Sequence, residues 1–314
     1  MVAILGITFP IYAALGLGYL FVWKGIFESR DIKSLGAFVF NMALPGLIFT
    51  TIAKRDPLEV FQAAYVLPYL VGGLLNIAVA WVLFSLRGFD PMRRAVGIMG
   101  STCPNNGFVG YPVMLLAFPE IAGVVLTLNF VVETLILIPI CLMLMEAAEG
   151  DKSSPLGPRL RRMVWNVIKM PTMMALIAGL LVAALHVPIP APFLRFTEMF
   201  ALSAGAVSLI VIGGSLAGLP LRGNKSLAAQ ATLGKLVIHP AIVGLVAAGF
   251  MATGLLDIAP EIRAALILSA AMPMFATYTI FAQAKGHEGA ASLASLAATV
   301  LAYFTLNGLL WLLT

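Results

Sequence analysis

The sequence predicts an all-α integral membrane protein of ten transmembrane helices, built as two inverted five-helix repeats with broken crossing helices 4 and 9. Three observations predict it. Of the 314 residues, 61% are hydrophobic and 11% charged, with a mean hydropathy of +1.01, whereas soluble domains carry about 25% charged residues. The apolar residues fall into ten runs, each near the roughly 20 residues that a bilayer-spanning helix needs. The fourth and ninth runs each carry a central proline, Pro104 and Pro273, 169 residues apart. Such a composition excludes a soluble enzyme, a disordered chain and a nucleic-acid binder. The net charge of +5 sits beside the apolar runs rather than in a basic patch of its own.

Taken in order, the runs cover 3–23, 34–53, 62–86, 93–117, 121–145, 164–186, 194–218, 227–252, 262–284 and 289–313. The first reads as a retained helix rather than a signal peptide, because no basic residue precedes it and Lys24 follows it directly. Cys103 and Cys141 lie inside apolar runs, so a disulfide framework is not expected. The connections after odd-numbered runs carry fourteen of the nineteen Lys and Arg residues, among them Lys24, Arg87, Arg94, Lys152, Arg159 and Lys285. The other side carries Lys54, Arg55, Arg195 and Arg263, while Lys235 lies within a run. That bias puts both termini outside and the connections after odd runs in the cytoplasm. The stretch around 149–163 is the one long polar connection, a cytoplasmic linker between repeats 1–148 and 164–314. Five is odd, so the second repeat enters the membrane inverted, the arithmetic of many secondary transporters.

The two central prolines mark the candidate substrate site. The fourth run reads Cys103-Pro104-Asn105-Asn106-Gly107 at its break, and the ninth reads Met272-Pro273-Met274. Proline removes a backbone donor and clashes with the carbonyl four residues earlier. At mid-membrane the freed groups survive only where protein or a wet cavity covers them. Each half-helix resuming after a break presents N–H groups and the positive end of its dipole, which suits a carboxylate or similar anion. Asn105 and Asn106 add polar side chains there, and Gly107 admits a ligand close to the backbone. Isolated prolines at 10, 45, 68, 139 and 240 show that an ordinary kink is the competing reading for either residue alone.

Other polar residues lie within the runs. Glu133, with Asn129 one turn earlier on the same face, either carries a coupled proton or braces a broken helix through a hydrogen bond. Lys235 and His239 share a face of the eighth run. They either compensate an anionic ligand, pair with Glu133, or form a structural pair. Asn41, one turn before Pro45, faces either the cavity or a neighbouring helix. Gly214 and Gly218 permit close helix packing without assigning a partner. No cofactor and no metal site are expected, since a zinc-protease motif, a phosphate-binding loop and a histidine-rich cluster are all missing from the sequence.

Pro104-Asn105-Asn106-Gly107-Phe108-Val109-Gly110-Tyr111-Pro112 resembles the fourth-helix motif of the auxin efflux carrier family. Phe40-Asn41-Met42-Ala43-Leu44-Pro45 and Ile212-Gly213-Gly214-Ser215-Leu216 are similar to the same family, over essentially the whole chain. Bacterial members are typically described as malate or malonate carriers, and plant members, with Asn-Pro-Asn-Thr-Tyr at the break, export the auxin anion. The resemblance implies crossing helices 4 and 9, elevator-type movement, and a scaffold of spans one, two, six and seven that forms a homodimer. The expected function is secondary transport of a small mono- or dicarboxylate across a bacterial inner membrane, with a proton or the membrane potential as driving force. The alternatives are a membrane receptor that binds the anion without net flux, a channel, and a sodium-coupled symporter of the related bile-acid symporter fold. The expected substrate residues are Pro104, Asn105, Asn106, Gly107, Pro273, Met274 and Asn41. Glu133, Asn129, Lys235 and His239 serve coupling or charge compensation, and the partners are the anion, the coupling ion and the bilayer.

Overall fold

A computed structural model describes residues 2–56, 62–149, 161, 165–219 and 222–313. Among the described residues 82% are helical and none lies in a strand. The helices are α1 (Val2–Trp23), α2 (Ser29–Ala53), α3 (Ala63–Leu86), α4 (Pro91–Thr102), α5 (Asn106–Ala117) and α6 (Ala122–Glu149). After the central connection come α7 (Pro171–Ala184), α8 (Ala191–Leu216), α9 (Lys225–Ala252), α10 (Pro260–Ala271), α11 (Tyr278–Gln283) and α12 (Glu288–Leu313). Seven of these, α1, α2, α3, α6, α8, α9 and α12, are long and apolar enough to cross a bilayer alone. The predicted fourth and ninth runs are the pairs α4–α5 and α10–α11, each interrupted at its proline. Most of the 149–163 linker, with Lys152, Arg159 and Arg162, lies outside the described residues.

Local chemistry fixes the helix ends. Asp90 caps α4 by accepting from the Arg93 N–H at 3.0 Å, with Pro91 at the first helical position, where its missing donor costs nothing. Asn224 caps α9 through the Leu227 N–H. Gly25 and Gly254, at φ +73 and +70, end α1 and α9 in the left-handed conformation that a side chain disfavours.

Four helices contain a widened turn: Val39–Ala43 in α2, Asn106–Gly110 in α5, Glu133–Leu137 in α6 and Gly234–Ile238 in α9. Each is followed within two residues by a proline: Pro45, Pro112, Pro139 and Pro240. The residue just before each proline donates to the carbonyl five back, as Ile138 does to Glu133. Widening moves the carbonyl that the proline ring would strike, and it turns the preceding residues by about one position around the helix.

The helices pack in two sets. In one, α1 and α2 pack on α8, and α7 packs on α2; in the other, α3, α4, α6, α9, α10 and α12 surround the breaks. Within the first set, α1 and α8 approach so closely that a Cβ at Gly213 would strike the Leu15 carbonyl, and one at Gly18 the Ile210 carbonyl.

Candidate functional site

The two breaks meet and pair with each other. The Asn105 N–H donates to the Pro273 carbonyl at 2.8 Å, and the Phe275 N–H donates to the Cys103 carbonyl at 3.2 Å. Pro104 and Met274 thus face each other as a single antiparallel bridge. Four backbone groups at the breaks are thereby satisfied across the crossing, where lipid could not satisfy them. The breaks are unequal. After Pro104 the chain resumes as helix at Asn106, with the Asn105 side chain capping it through the Phe108 N–H at 3.2 Å. After Pro273 helix resumes only at Tyr278 and lasts six residues. The dipole expected at both breaks is therefore carried mainly by α5.

Behind the crossing lies a buried polar ladder. Glu133 Oε1 accepts from Tyr69 Oη at 2.7 Å and from Asn106 Nδ2 at 2.6 Å. One turn along, Tyr65 Oη donates to Asn129 Oδ1 at 2.7 Å, and Ser269 Oγ lies 2.9 Å from Tyr65 Oη and 3.0 Å from Asn129 Nδ2. Tyr65 and Tyr69 come from α3, Asn129 and Glu133 from α6, each pair four residues apart and so on one face. The lower rung grips α5 and the upper rung grips α10. Lys235 adds a second hold on the end of α10, and Asn76 holds the end of α4. Lys235 Nζ donates to the Ala270 carbonyl at 2.7 Å and contacts His239 Nδ1 at 2.8 Å. Asn76 Nδ2 donates to the Ser101 carbonyl and to Thr102 Oγ1, both at 3.0 Å. Ser101 and Ala270 each stand three residues before a central proline, so α3 and α9 satisfy matching helix C-termini. Glu133 and Lys235, both buried, do not touch; each is committed to one arm of the crossing.

In front of the crossing is a cavity of about 440 Å³, within the range of small-molecule sites. Five phenylalanines line it, Phe40, Phe108, Phe130, Phe275 and Phe281, and its polar groups come from Asn105, Glu133, Thr134, Asn166 and Thr277. No Lys, Arg or His lines it among the described residues. Gly107, Ala276 and Thr277 line it, and their backbone N–H groups have no partner among the described residues.

The expected residues divide accordingly. Pro104, Asn105, Gly107 and Glu133 line the cavity. Asn106, Asn129, Lys235 and His239 are buried behind it. Pro273 and Met274 are buried in the crossing itself, pairing with its first arm. Asn41 stands apart: its Nδ2 donates to the Ala37 carbonyl, and it faces a separate groove between α2 and α8. Asn166 on the cavity wall was missed by sequence reasoning, as were the structural partners Tyr65, Tyr69, Asn76 and Ser269. Their partners lie on other helices, and no spacing along one chain reports that. One signal was available: Asn41, Asn106, Glu133 and Lys235 all stand four to six residues before a proline, inside the widened turns.

Comparison with known proteins bears on what this site serves. The "Membrane transport protein" family model matches residues 3–310. A protein of Rhizobium meliloti named "Putative malonate transporter" is 27% identical over 100% of this chain and 97% of its own length. The "Uncharacterized transporter YfdV" of Escherichia coli K12 is 24% identical over 98% of this chain and 96% of its own. "Auxin efflux carrier component 2" of Arabidopsis thaliana is 29% identical over 46% of this chain, which spans 23% of that longer protein. These relatives are named as transporters and not as enzymes. The chain is an integral membrane protein and belongs to the membrane transport protein family, that of the auxin efflux carriers.

Proposed function

We propose that the protein is a secondary carrier of a small organic anion, which it binds in the cavity before the crossing and moves by elevator-type alternating access. The observation that carries the reading is a cavity wall that includes Gly107, Ala276 and Thr277, whose N–H groups are unpartnered among the described residues, beside the N-terminus of α5. They offer a carboxylate several donors and a favourable dipole without a counter-cation. Because no basic side chain lines the cavity among the described residues and five phenylalanines do, the site favours one carboxylate on an apolar body over a dicarboxylate. Glu133, on the same wall, serves the coupled proton: in its neutral form it leaves the cavity able to accept an anion.

The wider architecture supports movement. Ten spans in two inverted five-helix repeats (1–148 and 164–314) account for the matched breaks at Pro104 and Pro273. The set α1, α2, α7 and α8 is the scaffold and dimer face, and the set around the crossing slides against it. In the bacterial inner membrane, the charge bias puts both termini outside. Uptake into proteoliposomes tests the reading, with malonate, malate, pyruvate and indole-3-acetate offered with and without a pH gradient. Saturable uptake of a monocarboxylate is expected, stimulated by the gradient in wild type and not in Glu133→Gln. Flux that does not saturate for any anion contradicts a carrier.

A further inference from the structure

The cavity has two walls of different origin. One belongs to the crossing and α6. The other is made by Phe40 and Leu44 of α2 and by Asn166, Val167 and Met170, just before α7. On that second wall Asn166 is the one polar side chain among the described residues. A helical turn holds it in place: the Lys169 N–H donates to the Trp165 carbonyl at 3.2 Å, and the Met170 N–H to Val167 at 3.0 Å. Lys169 Nζ sits 4.8 Å from the centre of the Trp165 ring, and Val167 is buried beneath. These contacts fix the backbone and leave the Asn166 amide with no partner among the described residues. An amide offers two donors and one acceptor. Asn166 is exposed and lines the same cavity as Asn105 and Thr277 of the other wall.

We infer that Asn166 is a ligand contact supplied by the stationary wall, made while the cavity lies on the side where α6 and α11 end, and lost when the crossing slides away. The inference rests on the alternating-access reading. Ligand held by the crossing travels with it, whereas Asn166 stays with α2 and α7. The residue therefore sets affinity from one face of the membrane and not from the other. It also selects the far end of the ligand: a carboxylate whose apolar body carries a hydrogen-bonding group, such as a ring N–H, completes both ends of the cavity.

The test uses right-side-out and inside-out membrane vesicles containing the full-length protein, with labelled indole-3-acetate and malonate as probes. Asn166→Leu is expected to raise the KM for indole-3-acetate about threefold to tenfold from the cavity side, the loss of one hydrogen bond. From the opposite side the KM stays at the wild-type value, and Asn166→Gln recovers part of the loss. An unchanged KM on both faces, or an equal rise on both, overturns the inference. So does saturable malonate flux without indole-3-acetate flux. The carrier reading fails separately: if Asn105→Asp carries both probes at wild-type rates, the site is misplaced whatever Asn166 does. No saturable flux of either probe overturns both.

Discussion

At the first break Asn105 turns its side chain toward the cap of α5 and the cavity, while Asn106 turns back to Glu133 and Tyr69. Substitution should separate the two roles. Asn105→Asp keeps an oxygen for the Phe108 N–H, so the fold is retained, but it adds negative charge at the proposed anion site. Anion flux is expected to fall at least tenfold with the thermal midpoint nearly unchanged. Asn106→Ala leaves the buried Glu133 carboxyl without one of its two donors. About 1–3 kcal/mol of stability should be lost, read as a lower midpoint in detergent, together with transport. A drop in midpoint for Asn105→Asp and none for Asn106→Ala would reverse these assignments. Sequence alone placed both residues at a break but could not say which faced forward, because that depends on the widened turn from Asn106 to Gly110 and on its fit to α6. Gly110 belongs to the same fit, since a Cβ there would come 2.5 Å from Asn106 Oδ1.

The widened turns act on whole helices. Pro139 keeps α6 from closing into a regular helix after Glu133, and the extra residue sets which face Glu133 and Cys141 share with the breaks. Pro139→Ala permits an ordinary turn. It should cost more in transport than in stability, since rotating Glu133 by about 100° takes it away from Asn106. Parallel flux and unfolding measurements on this variant check that order. Helix contacts of the other set respond differently. Gly213→Ala forces α8 away from the Leu15 backbone and should destabilise the protein by about 1–3 kcal/mol. At this scale the sequence was informative where apolar length and proline sufficed: the long helices and both breaks follow from it. It pointed to Gly214 and Gly218, whereas Gly18 and Gly213 make the closest α1–α8 approach, because several glycines fit one pattern and only packing chooses among them.

Across the whole molecule, the polar contacts of the crossing lie within one helix set. Tyr65, Tyr69, Asn76, Asn129, Glu133 and Lys235 all come from α3, α6 and α9 and all grip α4, α5 or α10. A buried network of this kind costs several kcal/mol to break inside a membrane, so sliding between sets is cheaper than bending within one. The proposed sliding can be tested by blocking it. Thr51 of α2 packs against Gly123 of α6, on opposite sides of the boundary. The pair Thr51→Cys and Gly123→Cys, in a background with Cys103 and Cys141 replaced by alanine, should stop transport when oxidised and recover it on reduction. Transport that continues through the cross-link contradicts relative motion of the two sets.

The most direct measurement is counterflow in proteoliposomes preloaded with unlabelled carboxylate. Labelled carboxylate outside is predicted to accumulate transiently above its equilibrium level in wild type, and not in Asn105→Asp. Equilibration without any overshoot in wild type, or an overshoot that survives in Asn105→Asp, would contradict a carrier whose anion site lies at the crossing.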